Sequence, residues 1–438
     1  MAGFTPEQNE TQSGALPSST SVNSQETLPA ANEPAEKFPQ IIRALRNQDF
    51  RRFWAGNFLS NIGTWMQNIA QGWLILDLAH TSFWLGVVGF AGSIPFLFFT
   101  LFGGVVADRV NKRFLLIGTQ SAMMVLAFIL AGLTFVHHIT VWGIVVIAFL
   151  NGVAMSMNAP SYQALVPQLV EREDLTNAIA LNSAQFNMSR ILGPTLGGYA
   201  MALVGVAGNF LLNGFSFLAV VAALLRIRYP HEQRTNHPGI FDSLRQGFRY
   251  VNGQPQMRVL VGLIAAGSLF GIPFLTFIPY FARIQLHTDE SGLGLLMAGS
   301  GAGAVLGAIT VAAIGKLRHR GYVIVASGIA FFAAIIAVCY SMNFALSAAL
   351  LMVEGYSGIL MISSVNIGIQ HLASNEMRGR VMSIYATCFL GLPPLGSLLA
   401  GELSRHIDTS HALAMMAAVA MLIFVVFLLA SRDLRAIE

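Results

Sequence analysis

Two charged residues stand in the middle of long apolar runs, where a charge is costly. Arg190 lies near the centre of the run 177–203, and Glu354 lies inside the run 344–369. An ionisable side chain at that depth in a membrane helix indicates a functional site by default. Glu354 could carry a proton, and Arg190 could bind an anionic substrate or pair with Glu354. A static pair, or a carboxyl satisfied by neighbouring hydroxyl groups, is the structural alternative.

Uncharged polar side chains follow one another at helical spacing in the first apolar run. Steps of four, three, four and three residues place them on one helix face, at Asn57, Asn61, Thr64, Asn68 and Gln71. Amides facing lipid would lack hydrogen-bond partners, so this face should turn towards protein or water. We interpret it as the lining of a substrate cavity, and hydrogen bonding between helices is the alternative.

The fourth run repeats this polar pattern more weakly, at Asn151, Met155, Asn158 and Tyr162. Further candidates for the cavity lining are polar or aromatic side chains in other runs. Outside the first run, we assign four residues to substrate binding, which are Asn158, Gln185, Tyr280 and Tyr356.

The composition places these residues in a membrane protein. Of the 438 residues, 55% are hydrophobic and 11% are charged, which is too apolar for an ordinary soluble domain. Twelve runs are long enough to cross about 30 Å of hydrocarbon, and each should be a helix because backbone groups in lipid must be satisfied within the segment. The predicted limits are 53–77, 83–107, 114–136, 141–166, 177–203, 206–227, 257–281, 291–315, 322–340, 344–369, 379–403 and 411–430. The predicted fold class is therefore all-α integral membrane, with twelve transmembrane helices.

The basic residues orient the chain and the longest internal connection divides it. All but Arg190, Arg283 and Arg405 of the 25 lysine and arginine residues lie on one side of the runs, which places both termini in the cytoplasm. The polar connection separates six runs from six, and the eleventh run echoes the Gly-Pro pattern of the fifth, which predicts two parallel six-helix bundles around a central cavity. The predicted units are a disordered tail at 1–45, a first bundle at 46–227, a cytoplasmic linker at 228–256, a second bundle at 257–430 and a cytoplasmic tail at 431–438.

Two short motifs lie at a helix end and at a helix contact. Charged residues and a glycine between the second and third runs form a turn that cannot lie in hydrocarbon; they are Gly104, Asp108, Arg109, Lys112 and Arg113. In the fifth run a proline interrupts the helical hydrogen-bond ladder and glycines allow close approach of a partner helix. These residues are Gly193, Pro194, Gly197 and Gly198. A bendable, closely packed helix suits a rocking interface.

The first motif resembles the signature between helices 2 and 3 of the major facilitator superfamily, with Asn111 where that family usually has glycine. The second resembles the fifth-helix signature of exporters in the superfamily, with Ser189 in place of its first glycine. The resemblance covers about residues 47–430. It implies a cytoplasmic gate in which Asp108, Arg109 and Arg113 close against the eleventh helix near Arg378 and Arg380.

Segments such as Asn158-Ala159-Pro160 and Arg378-Gly379-Arg380 are similar to the branch of the superfamily that contains the enterobactin exporter and macrolide efflux proteins. That branch implies export of a small, bulky or lipophilic compound, siderophore-like or drug-like, by proton antiport across a bacterial inner membrane. Proton-coupled drug exporters usually carry an arginine in the fourth helix, and residues 142–168 contain none, so Arg190 could substitute. An importer of the same fold is the nearest alternative, and a non-transporting membrane receptor is an alternative of another class.

Patterns typical of other chemistries are missing from the sequence. There is no HExxH, GxSxG or Walker GxxxxGK[ST] pattern, so we expect neither enzyme activity nor ATP-driven transport. Basic runs interleaved with aromatics are also missing, which argues against a nucleic-acid partner. We expect no cofactor and no metal site. The expected partners are a small-molecule substrate, protons and the lipid bilayer, with the chain acting as a monomer.

Overall fold

The computed structural model describes residues 40–109, 111–227, 240–314 and 320–430, and it describes side chains for 42–99, 111–227, 245–313 and 320–429. Nearly all of this chain is helical. The α-helices are α1 Gln48–Ala79, α2 Phe83–Arg109, α3 Lys112–Phe135, α4 Val141–Leu165, α5 Leu175–Arg226, α6 Ile240–Gly253, α7 Pro255–Phe270, α8 Ile278–Tyr280, α9 Glu290–Ile314, α10 Arg320–Tyr340, α11 Phe344–Leu372, α12 Arg378–His406 and α13 Thr409–Ala430. Tighter or wider helical turns lie at Gln40–Arg46, Val166–Gln168, Arg172–Asp174, Ile272–Phe277 and Phe281–Gln285.

Nine helical stretches in the described ranges are long and apolar enough to cross a membrane. The polar face of α1 lowers its hydropathy, and α2 qualifies only as the shorter apolar stretch Phe83–Phe99. The expectation of an all-helical membrane protein is therefore confirmed. Residues 1–39 of the predicted tail 1–45, residues 228–239 of the predicted linker and the predicted tail 431–438 lie outside the described residues. Residues 40–45, which we predicted to be disordered, instead belong to the helical turn Gln40–Arg46.

The chain reverses direction inside α5, at Gly205. This residue has φ +71° and ψ 174°, a conformation that residues with a side chain rarely adopt. Twelve residues of straight helix would span about 18 Å, yet the Asn209 side-chain amide donates to the Gly197 carbonyl oxygen at 2.9 Å. We therefore divide α5 into a first arm, 175–204, and a second arm, 206–226, which fold back on each other.

The stretch predicted as one continuous helix at 257–281 is interrupted. The α-helix ends at Phe270, and a 3-10 turn follows at Ile272–Phe277. Pro273 and Pro279 lack a backbone N–H and cannot complete the ladder of i to i−4 hydrogen bonds. The prediction of an unbroken helix is therefore wrong for this segment. Short helical turns of different types follow Phe270 instead.

Glycine contacts join the first half of the described chain, 40–227, to the second half, 240–430. A Cβ atom placed on Gly86 of α2 would lie 2.7 Å from the Gly401 Cα of α12. A Cβ atom placed on Gly198 of α5 would lie 3.0 Å from the Gly294 Cα of α9. Side chains do not fit at such distances, so these two helix pairs depend on glycine. We call the end of the molecule that holds both contacts the sealed end.

Two arginines add polar contacts between the halves at the sealed end. Arg283 donates to Asp77 Oδ1 at 2.6 Å, and its guanidinium carbon lies 5.0 Å from the Trp73 ring centroid. The Arg405 guanidinium carbon lies 4.9 Å from the Phe83 ring centroid. Exposed ion pairs and cation–π contacts each contribute about 0.5–1 kcal/mol. The sealed end is therefore held mainly by helix packing, with these contacts on its outer rim.

Candidate functional site

A cavity of about 470 Å³ lies between the two halves, a volume typical of small-molecule sites. We call it the main cavity. Both halves contribute to its wall, which is formed by α1 to α5, the turn Ile272–Phe277, α8, α9 and α12. The described lining residues are Thr64, Trp65, Gln67, Asn68, Ile69, Gln71, Gly72, Ile75, Leu85, Val88, Gly89, Gly92, Ser93, Phe96, Met123, Ala148, Asn151, Gly152, Met155, Asn213, Phe217, Ile272, Pro273, Leu275, Thr276, Pro279, Met297, Pro393 and Ser397.

The polar face predicted for α1 is divided by the structure. Thr64, Asn68 and Gln71 line the main cavity, whereas Asn57 and Asn61, nearer the start of α1, lie outside its described lining. The Thr64 hydroxyl is used within the helix, where it donates to the Ser60 carbonyl at 2.9 Å. The Asn68 and Gln71 amides make no hydrogen bond to another described residue. These two amides are therefore free to bind a ligand.

Gln67 and Asn213 also line the main cavity, and our sequence analysis did not identify them. The Asn213 amide donates to Gln67 Oε1 at 2.7 Å, and its own oxygen accepts from Ser216 Oγ at 2.9 Å. A side chain at Gly63 would strike Asn213 and Ser216, so glycine lets α1 approach the second arm of α5 closely. Gln67 stands four residues before Gln71, a helical spacing that could have indicated it. Asn213 likewise stands four residues after Asn209 and three before Ser216, so the same spacing could have indicated it.

Only some of the polar-pattern residues of α4 line the main cavity. Asn151 and Met155 line the cavity. Asn158, one of the predicted binding residues, is buried instead and donates to Thr119 Oγ1 of α3 at 3.3 Å. Gln185 on α5 is 1% exposed, and its Oε1 has no hydrogen-bond partner among the described residues. Neither Asn158 nor Gln185 belongs to the described lining of the main cavity.

The two predicted tyrosines also lie away from the described lining of the main cavity. The Tyr280 hydroxyl donates to Asp408 Oδ1 at 3.0 Å. Tyr280 lines a second cavity of about 340 Å³ at the sealed end, beside Arg283. Tyr356 of α11 is half-buried, and its backbone carbonyl packs against Gly307 of α9.

The two intramembrane charges belong to the helices that pack on α9, which are α5 and α11. Glu354 of α11 is 2% exposed, and its carboxylate accepts a hydrogen bond from Ser300 Oγ of α9 at 2.7 Å. The next residue, Gly301, faces α5, because a Cβ there would lie 3.1 Å from the Arg190 carbonyl oxygen. Arg190 and Glu354 thus lie beside consecutive residues of α9, Gly301 and Ser300. Neither residue belongs to the described lining of the main cavity.

A hydroxyl beside a carboxyl suits proton exchange. The Ser300 hydroxyl can donate to the ionised Glu354 side chain, and it can accept from the protonated one. Glu354 can therefore change protonation state and keep a hydrogen bond, which limits the cost of leaving a buried polar group unpaired.

The Gly-Pro motif of α5 lies at helix contacts. A Cβ on Gly193 would lie 2.9 Å from the Ile62 carbonyl oxygen, and one on Gly197 would lie 2.9 Å from the Met66 Cα, both in α1. On the other side, the Pro194 carbonyl contacts Gly294 of α9, and Gly198 contacts the same residue. The motif thus packs α5 both against its own half and against the other half.

The predicted gate is described only in part. Gly104, Asp108 and Arg109 belong to α2, but the side chains of Asp108 and Arg109 lie outside the described residues. Asn111 precedes α3, which begins at Lys112, and its side chain accepts from the Arg113 backbone N–H at 3.0 Å. This cap occupies the position where the superfamily signature has glycine.

Arg113 lies against α5. Its Nε and Nη2 donate to the carbonyl oxygens of Leu224 and Leu225, each at 2.7 Å. These carbonyls end the second arm, where a cation is favourable. Of the other gate candidates, Arg378 begins α12 and is exposed, and Arg380 Nη1 lies 3.2 Å from the Met377 sulfur.

Comparisons with known proteins cover nearly all of this architecture. A family model described as transmembrane secretion effector matches residues 41–438. The staphyloferrin A transporter of Staphylococcus aureus is 23% identical over 79% of this chain and 87% of its own length. The multidrug efflux pump Tap of Mycolicibacterium fortuitum is 24% identical over 77% and 84%, and the enterobactin exporter EntS of Citrobacter koseri is 25% identical over 65% and 68%. The crystal structure of the nucleoside transporter NupG matches the fold with a TM-score of 0.69 at 14% identity, over 87% of this chain and 98% of that one.

Proposed function

The chain belongs to the transmembrane secretion effector family of the major facilitator superfamily, and from that membership we propose that it is a secondary active exporter of a small, bulky or lipophilic compound. We place it in a bacterial inner membrane as a monomer with both termini in the cytoplasm. The proposal includes twelve spans in two six-helix bundles, 46–227 and 257–430, joined by the linker 228–256. The reversal at Gly205 supports this number, because α5 then crosses twice.

The observation that carries the proposal is the main cavity itself. It lies between the two halves and carries free amides, and the halves are closed against each other at the sealed end by Gly86–Gly401 and Gly198–Gly294 contacts. Alternating access requires a site at the interface of two repeats and an interface that can rock. The sealed end holds Arg283 and Arg405, two of the few basic residues away from the cytoplasmic side, so we assign it to the outer face.

Rocking of the halves would open the sealed end and close the cytoplasmic end. We assign closure of the cytoplasmic end to the gate residues, which are Gly104, Asp108, Arg109, Lys112 and Arg113 against Arg378 and Arg380. The Gly-Pro motif of α5 supplies a helix that can bend while it packs closely on α1 and α9.

Coupling to protons is assigned to Glu354 and Arg190. In this proposal the ionised Glu354 attracts Arg190, protonation of Glu354 removes that attraction, and release of the proton restores it. Because α9 packs on α5 of the other half at Gly294 and Gly301, a change in this attraction acts directly on the contact between the halves. Proton uptake at Glu354 is therefore able to bias the rocking equilibrium.

The direction and the substrate class of the proposal are supported by the names of relatives. The multidrug efflux pump Tap and the enterobactin exporter EntS are both described as exporting proteins, and the staphyloferrin A transporter handles a siderophore. We therefore favour outward transport of a siderophore-like or drug-like compound.

Retention of a lipophilic dye tests the proposed function. The chain is expressed in a bacterial strain that lacks its own efflux pumps, and the cells are loaded with Nile red. We expect cells that express the chain to retain less dye than cells with an empty vector, and we expect a protonophore to abolish the difference. Equal retention in both strains before the protonophore is added would contradict export of this class of compound.

A further inference from the structure

The main cavity has a polar lining without charge. Among the residues whose side chains are described, none of its lining residues is Asp, Glu, Lys, Arg or His. The two charges that the proposed mechanism uses, Glu354 and Arg190, lie outside this lining. A charged ligand would enter this cavity without an opposite charge beside it. Removing a charge from water without such a partner is strongly unfavourable.

All side-chain amides of the main cavity come from one half of the chain. Five side-chain amides line it from the first half of the chain, and they are Gln67, Asn68, Gln71, Asn151 and Asn213. The second half contributes an apolar wall with isolated hydroxyl groups at Thr276 and Ser397. The second half therefore presents hydrocarbon side chains without amides, whereas the first half presents its amides among apolar side chains such as Trp65 and Phe96.

Three of the five amides have all of their hydrogen-bonding groups available. Gln67 and Asn213 bond each other at 2.7 Å. Asn68, Gln71 and Asn151 make no hydrogen bond to another described residue. A side-chain amide offers two donors and an acceptor oxygen, so these three can recognise carbonyl, hydroxyl or amide groups on a ligand without requiring a charge.

From this distribution we propose that the main cavity binds an uncharged amphiphile, whose hydrogen-bonding groups meet the amides of α1 and α4 and whose apolar side meets the wall from Ile272 to Pro279. The inference rests on the proposed function, because it names the substrate class of the same site. It excludes polycarboxylates and permanently cationic dyes from this cavity. It also separates ligand binding from the proton site, so that the two are coupled through the packing of α9 on α5.

Three probes that share one fluorophore test the inference. N-butyl dansylamide is uncharged, dansylglycine is anionic and monodansylcadaverine is cationic at pH 7. Purified full-length protein in lipid nanodiscs is titrated with each probe, and fluorescence is corrected with empty nanodiscs. We expect the uncharged probe to bind at least about tenfold more tightly than either charged probe. Equal or tighter binding of a charged probe, or no binding of the uncharged probe above empty discs, would overturn the proposal.

A single charge placed on the amide wall should change the preference. In Asn68→Asp the new carboxylate lines the main cavity, so we expect monodansylcadaverine to gain about tenfold in affinity relative to the uncharged probe. Asn375→Asp, in an exposed turn, is the matched control and should leave the preference unchanged. Gln71→Glu is a second variant for the case that Asn68→Asp does not fold. An unchanged preference in the folded cavity variant would contradict the proposal.

The binding experiment and the transport experiment distinguish a failure of the inference from a failure of the proposed function. If the charge preference holds but no probe is transported in vesicles, the proposed function fails and the inference about the cavity stands. If vesicles export dansylglycine or monodansylcadaverine as fast as N-butyl dansylamide, the inference fails and the proposed function stands.

Discussion

Gly198→Ala should disturb the sealed end with little effect on the rest of the fold. The added Cβ would lie 2.6 Å from the Glu290 carbonyl oxygen and 3.0 Å from the Gly294 Cα, and both are backbone atoms of α9 that no side-chain rotation can move aside. Ordinary contacts of this kind are near 3.4 Å or longer, so α5 and α9 must separate by several tenths of an ångström. Overpacking of this size costs about 1–3 kcal/mol. If the cost falls on the closed conformation alone, the ratio of closed to open molecules falls about 5- to 150-fold.

The population of open molecules can be measured with two spin labels across the sealed end. Leu78 at the end of α1 and His406 at the end of α12 are exposed and belong to different halves. The labels are attached to Leu78→Cys/His406→Cys protein in which Cys339 and Cys388 have been replaced. Pulsed electron–electron double resonance measures the distance between the two labels. We expect a population with a longer distance, and we expect this population to grow when Gly198→Ala is added.

The matched control is Gly132→Ala in α3, where a Cβ would meet nothing within 4 Å. It gives the same gain in helix propensity as Gly198→Ala, but its added methyl group does not press on a neighbouring helix. We expect its distance distribution to equal that of the parent. A Gly198→Ala distribution that also equals the parent would refute the idea that glycine contacts close this end.

Three further predictions concern coupling, the buried amide pair and pH. Glu354→Gln keeps the shape and the hydrogen-bonding capacity of the side chain but cannot change charge, so proton-driven export should stop at normal expression, while the exposed Glu376→Gln should transport normally; full activity of Glu354→Gln would remove this residue from coupling. Asn213→Leu leaves a buried amide oxygen without its donor, which costs about 1–3 kcal/mol and should lower the thermal unfolding midpoint; an unchanged midpoint would show that the pair contributes nothing. The Gly292 backbone N–H lowers the pKa of Asp289 in the folded protein, so its contribution to stability is present above the unfolded pKa of about 4 and is lost as pH falls through the folded pKa; Asp289→Asn should lessen the acid sensitivity of the unfolding midpoint, and an unaltered pH profile would contradict this.

The polar face of α1 shows what helical periodicity can predict. Its spacing indicated a face turned away from lipid, and the structure places Thr64, Asn68 and Gln71 on the main cavity. Periodicity gives the face of a helix but not the depth at which a cavity begins. For that reason the pattern could not separate these three residues from Asn57 and Asn61, which share the face and lie outside the described lining.

Other parts of the site depend on contacts that have no local signal. Asn213 reaches Gln67 only because the chain reverses at Gly205 and brings the second arm of α5 against α1. The broken segment after Phe270 reads as an ordinary apolar run, and its prolines indicate where a ladder can break but not which turns replace it. The bonds of Arg113 to the end of α5 likewise join residues more than a hundred positions apart.

Transport in inverted membrane vesicles tests the central claim most directly. Vesicles that contain the chain are given an acidic lumen and are supplied with N-butyl dansylamide from outside. The account predicts that the probe accumulates inside, that a protonophore releases it, and that vesicles with Glu354→Gln take up no more than vesicles without the protein. Accumulation that is the same with and without the pH gradient, or that persists in Glu354→Gln, would contradict it.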